Sequence, residues 1–206
     1  MPYKTVRAEA SDSIIIERSE FIAKIAPVKT TEEATAFIDS VRAEHRRARH
    51  NCYAYSLREC YETRFSDDGE PQGTAGPPIL DVIQKNGLTD VCIVVTRYFG
   101  GILLGKGGLI RAYSSSAAKA VAAAPIMDMY DARDITLTLE YPLYDRILRL
   151  LPEYEIKTLD QIFADRITLS LLCKEEFCEP FEEILRDVSN GQIILEKSET
   201  YFADFA

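Results

Sequence analysis

The residues of this chain best suited to chemistry lie in one glycine-rich run, Thr96-Arg97-Tyr98-Phe99-Gly100-Gly101-Ile102-Leu103-Leu104-Gly105-Lys106-Gly107-Gly108-Leu109-Ile110-Arg111-Ala112-Tyr113. It joins an apolar strand pattern to a helix pattern. Such a junction leaves backbone N–H groups unpaired at the positive end of the helix dipole, and glycines let the backbone approach an anion closely. Residues 100–106 fit G-x-x-x-x-G-K, but Gly107 stands where a nucleoside-triphosphate loop needs Ser or Thr to hold magnesium. Triphosphate hydrolysis is not expected. Glycines alone would serve a tight turn and close helix–sheet packing. Arg97, Lys106 and Arg111 are charges that packing does not require, so the run is read as a phosphate site using them with Gly100, Gly101, Gly105, Gly107 and Gly108.

A second cationic group, Arg46, Arg47 and Arg49, lies between His45 and His50. It suits either a helix C-terminus, whose dipole it offsets, or a patch for a phosphate backbone. Tyr53, Tyr55, Tyr98 and Phe99 can stack on bases or fill a core. His50 and Cys52 fall on one face of a strand. Without paired ligand spacing, a satisfied, partly buried pair fits them better than a metal site or a thiol nucleophile. Asp67, Asp68 and Glu70 supply too few defined ligands for a hard cation, and an Asp-Gly turn explains the same residues. Neither a metal nor a cofactor is expected.

The elements that would position these groups follow from periodicity. Strands are read at residues 14–17, 21–28, 51–57 and 91–95, the last apolar on both faces. Thr31 before Glu32 and Glu33 caps a first helix, Pro78 opens a second, and a third starts near Gly108. Helices stacked on a mixed sheet result. Beyond Pro125 the pattern is β-α-β-β-α-β, with alternation at residues 134–141 and 167–173 and helix faces from Tyr144 to Leu151 and Phe177 to Val188. Short strands are read at about 154–159 and 192–197. That order is the ferredoxin-like split βαβ. A division near residue 130 gives domains of 1–130 and 131–206, joined by an exposed linker at about 124–134.

With 206 residues, 47% of them hydrophobic, the chain can bury a substantial core. No apolar run reaches the ~18 residues of a membrane span, and the start lacks a signal-peptide core, so a cytoplasmic protein without membrane contact is expected. Five cysteines without Cys-x-x-Cys spacing suggest reduced thiols. Residues 131–206 hold 8 basic and 17 acidic side chains, so the whole formal charge of -9 lies there. The first domain tolerates a polyanion; the second repels one.

Three motifs, His50-x-Cys52-x-Ala54, Ser66-Asp67-Asp68-Gly69-Glu70-Pro71-x-Gly73-Thr74-Ala75-Gly76-x-Pro78 and Arg97-Tyr98-Phe99-Gly100-Gly101-x-x-Leu104-Gly105-x-Gly107-Gly108-Leu109-x-Arg111-Ala112-Tyr113, together resemble the IMPACT/YigZ family. The resemblance implies an N-terminal domain with the fold of the second domain of a small-subunit ribosomal protein. It also implies a ferredoxin-like C-terminal domain similar to domain V of elongation factor G. Both likenesses point to the translation apparatus. Eukaryotic members regulate a translation-initiation-factor kinase with an additional N-terminal domain, for which there is no room before Ile14, so that role is not expected here. The functional surface implied is the loop from Asp67 to Pro78, the segment from Arg97 to Tyr113, and His50 with Cys52. The expected function is a non-catalytic binding or regulatory protein associated with RNA or the ribosome. One alternative is an enzyme acting on a small phosphorylated metabolite, with Asp67, Asp68, Glu70 and His50 as its candidates; another is a module whose acidic C-terminal domain meets a basic protein partner.

Overall fold

A strand apolar on both faces needs a layer on each side, and the first unit, Tyr3–Met127, supplies both. The computed structural model describes residues 2–205. In chain order the first unit contains β1 (Tyr3–Val6), β2 (Ala10–Ile16), β3 (Ser19–Pro27), α1 (Thr31–Glu44), β4 (His50–Leu57), β5 (Glu62–Ser66), α2 (Gly76–Lys85), β6 (Val91–Tyr98) and α3 (Gly105–Ala123). Five strands form a sheet in the order β2-β3-β6-β4-β5. Val91, Ile93 and Val95 pack beneath α2 and α3, whereas Cys92 and Val94 pack against α1. β6 is thus the centre of a three-layer α/β/α stack.

Every pairing in this sheet is antiparallel, not mixed as expected. Helices on both faces make a central strand apolar whichever way its neighbours run, so the pattern carried no direction. The α1 cap is Thr30, whose hydroxyl accepts from the Glu33 N–H at 3.2 Å; Thr31 is the first helical residue. α2 and α3 begin two and three residues earlier than their apolar faces suggested, at Gly76 and Gly105. The sequence reading lacked β1 and β5. β1 is only four residues long, and β5 has no buried side chain, so neither shows an alternating apolar face.

The second unit comprises Pro2 and residues 128–205. Its elements are β7 (Ile126–Leu139), α4 (Tyr141–Leu150), a 3-10 turn (Leu151–Tyr154), β8 (Lys157–Phe163), β9 (Ile167–Lys174), α5 (Glu175–Ser189), β10 (Ile194–Lys197) and β11 (Tyr201–Asp204). The path β10-β7-β9-β8 is antiparallel throughout, as a split βαβ requires. Ile147, Phe181 and Leu185 from the helices close over Ile135, Leu137, Leu169 and Leu171 of the sheet. The ends of this unit bring one correction and one addition. No exposed linker spans residues 124–134, because most of that stretch is the first half of β7. The C-terminal residues Tyr201–Asp204 form β11, paired with residues 129–132 of β7 in the same chain.

Candidate anion-binding cleft

The alternation that buries Val91, Ile93 and Val95 beneath α3 puts Arg97 on the same face, one row beyond the apolar core. Arg97 lies between Phe21 of β3 and His50 of β4 in the sheet register. Its Nη1 donates to Glu70 Oε1 at 2.7 Å, and the same oxygen accepts from the Tyr113 hydroxyl at 2.8 Å. Its guanidinium stacks at 5.4 Å over both Phe21 and Phe99. Arg97 is only 7% exposed and its Nε has no hydrogen-bond partner. The sequence treated this residue as a free cation for phosphate; it is instead the partner of a buried carboxylate.

Glu70 reaches Arg97 because the loop before α2 is folded around one carboxylate. Asp67 accepts the N–H groups of Gly73 at 2.8 Å and of Ala75 and Gly76 at 2.9 Å each. Burial acts to raise the Asp67 carboxyl, but the backbone donors of Gly73, Gly76, Ala75 and Thr74 outweigh it and hold the group below the usual aspartate range. Asp68 accepts from the Asn51 N–H at 2.7 Å and pairs with Arg42 at 3.3 Å. All three acidic residues of the loop are therefore spoken for. His50 Nδ1 lies 2.8 Å from the Asp68 carbonyl. A carbonyl only accepts, so Nδ1 carries the proton, and in the neutral ring Nε2 is the acceptor.

A depressed Asp67 predicts a pH signature. Its contribution to stability is present above the unfolded value near 3.8 and is lost as pH falls through the lower folded value. Asp67→Asn should therefore lower the melting temperature at pH 7, and the gap should close below about pH 4. A gap unchanged down to pH 2 would show that the charge does not hold the loop.

The remaining motif residues divide between support and surface. Cys52 is buried, donates to the Asp67 carbonyl at 3.0 Å, and has its thiol raised by burial far above neutrality. Burial does the same to the Tyr113 hydroxyl. Neither is a nucleophile at neutral pH. Thr74 is buried and closes a turn onto the Pro71 carbonyl at 2.6 Å, while Gly69 lies against the His50 ring. Tyr98 bonds His45 Nδ1 at 3.0 Å beyond the end of α1.

The loop leading to α3 lies against a backbone. An added Cβ on Gly100 would sit 2.0 Å from the Arg18 carbonyl carbon, and Gly101 and Gly105 adopt φ of +87° and +66°. α3 then starts at Gly105 with Leu104 as N-cap and no side-chain cap, so the N–H groups of its first turn, including Gly107 and Gly108, have no side-chain acceptor. Between this helix start and the Asp67 loop lies a cleft of ≈ 440 Å³, lined by Arg49, Lys106 and His50 and by the apolar Phe99, Leu103 and Leu109, with Arg97 and Glu70 also on its wall. Arg47 lies beside it. Arg46 and Arg111 are exposed but do not line the cleft.

Ser19 was not legible as a site residue. Its hydroxyl accepts from the Gly100 N–H at 3.1 Å across 81 positions of sequence. Leu103 carried a signal, an aliphatic residue in a glycine-rich loop, and it is 87% exposed.

Comparison with known proteins places this arrangement. The Impact N-terminal domain matches residues 17–121, and a domain of unknown function, DUF1949, matches residues 137–192. The chain is 34% identical over 205 residues to the IMPACT family member YvyE of Bacillus subtilis, covering 99% of this chain and 94% of that one. The chain belongs to the IMPACT family. The IMPACT family member YigZ of Escherichia coli is 36% identical over 183 residues, covering 87% of this chain and 90% of its own. A crystal structure of a hypothetical protein is similar at a TM-score of 0.61 and 34% identity, over 94% of this IMPACT-family chain and 96% of that one. Among the described residues no helix is long and apolar enough to cross a membrane.

Proposed function

We propose that this IMPACT-family protein is a non-catalytic binding protein that associates with RNA, in the setting of translation, through the cleft surface of its first unit. One observation carries the reading. Arg46, Arg47, Arg49, Lys106 and Arg111 are exposed, and no ion pair among the described residues neutralises them, whereas Lys24, Arg42, Lys85 and Arg97 are each paired with a carboxylate. Unneutralised cations beside an uncapped helix start gain by taking phosphate and releasing its counterions. A metal-dependent catalytic reading would need free carboxylates. Asp67, Asp68 and Glu70 have instead given their oxygens to backbone amides, Arg42, Arg97 and Tyr113.

The test is the salt dependence of RNA binding by the full chain. Each phosphate contact contributes about 0.7 to the slope of log affinity against log salt for a single strand, so Arg49→Ala with Lys106→Ala should flatten it by about 1.4. Lys29→Ala with Lys119→Ala is the charge-matched control and should leave the slope unchanged. Arg97 is left out of the test because its loss would disturb the buried pair. Equal responses in the two pairs, or no binding at low salt, would refute the assignment.

A further inference from the structure

A second cleft adjoins the first. It measures ≈ 380 Å³ and is lined by Arg47, Ala48, Arg49, Arg97, Tyr98 and Phe99. Arg49, Arg97 and Phe99 belong to both linings, so the two compartments are neighbours. The compartments differ in chemistry. The smaller has no carboxylate in its lining and is bordered by Arg47 and Arg49, neither of them ion-paired among the described residues, together with the Glu70-paired Arg97, and the larger offers Phe99, Leu103, Leu104 and Leu109.

Resting on the RNA-binding reading above, we propose that the two compartments receive a single unpaired nucleotide of an RNA strand, its phosphate between Arg47 and Arg49 and its base against Phe99 and Leu103. One observation supports this beyond charge. Phe99 and Leu103 are 51% and 87% exposed, which is apolar surface that a planar base would cover. A bare phosphate would use only the smaller compartment and leave the larger empty. A nucleoside without phosphate would do the reverse. A base inside a duplex has both faces stacked and cannot enter, so the site selects unpaired strands.

The experiment compares three probes on the full chain at one low salt concentration: a short oligoadenylate, an abasic strand with the same number of phosphates, and the oligoadenylate annealed to its complement. Base stacking on a protein side chain is worth about 5- to 160-fold in affinity, so the oligoadenylate should bind at least about fivefold more tightly than the abasic strand and the duplex. Phe99→Ala combined with Leu103→Ala should bring the oligoadenylate to the level of the abasic strand without changing the salt slope. Both side chains are largely exposed, and an unchanged melting temperature will show that the fold is retained. Equal binding of oligoadenylate and abasic strand would overturn the nucleotide site and leave the RNA reading standing. Adenosine monophosphate binding that depends on Phe99 and Arg49, with no binding of any strand, would support the two-compartment site and overturn the RNA reading. No binding of any probe would overturn both.

Discussion

Replacing Glu70 by alanine is expected to lower the unfolding free energy by about 3–5 kcal/mol, the cost of stranding one member of a buried ion pair. The loss has two sources in the structure. Arg97, 7% exposed, would keep its charge without a counter-ion, and the Tyr113 hydroxyl would lose its acceptor. Glu70→Gln keeps an oxygen acceptor for both donors and should cost less. Replacing the pair together, Glu70→Leu with Arg97→Met, should recover much of the stability, because apolar groups of similar volume need no compensation. Urea denaturation of the three variants measures this. A cost below about 1 kcal/mol for Glu70→Ala would place the pair in the range of solvated surface pairs and remove it as the anchor of the loop.

Gly100→Ala should be at least as damaging. The added methyl would lie 2.0 Å from the carbonyl carbon of Arg18 and 2.1 Å from its oxygen, and both contacts are with backbone. Side chains can rotate away, but this backbone leads into β3 and carries the Ser19 hydroxyl that accepts the Gly100 N–H. We expect a loss of about 4 kcal/mol or more, at the upper end for single substitutions. Gly107→Ala is the contrasting case. Its Cβ would meet only the Arg111 guanidinium, at 3.7 Å, and alanine gains about 0.8–1 kcal/mol over glycine inside a helix. One run of glycines thus contains an obligatory position and a replaceable one, and thermal unfolding of the two variants should move in opposite directions. A tolerated Gly100→Ala would show that the loop is free to lift from β3.

The fold was legible where burial is one-sided. Strict alternation in β7 and β9 and the 3.6-residue faces of α4 and α5 gave the β-α-β-β-α-β order, because each element shows one face to a single core. Periodicity carried no signal in β5, which buries no side chain, and it carried only half of one in β6, which buries both faces. Strand direction in the first sheet was therefore lost. At the cleft, the sequence marked the loop, the helix start and the cations as residues to place, but it could not separate cations that are exposed from one that is paired with a buried carboxylate. Arg97 and Glu70 are 27 positions apart, and only the closing of the loop by Asp67 makes them partners. The two sets of arginine looked alike in sequence; burial distinguishes them.

The long strand β7 imposes an order of events during synthesis. Its residues 129–132 pair with β11 and residues 135–138 with β10, the last strands of the second unit to be made. Domains fold as units while the chain grows, the N-terminal one first. The sheet of the first unit is complete once β6 has been translated, and α3 follows within a few residues. β7, by contrast, waits with one edge open until the polypeptide has grown past residue 204. During that interval one open strand edge is available to neighbouring chains. A nascent chain stalled before residue 194 should therefore carry a complete first-unit sheet and a β7 whose edge toward β10 and β11 is still open.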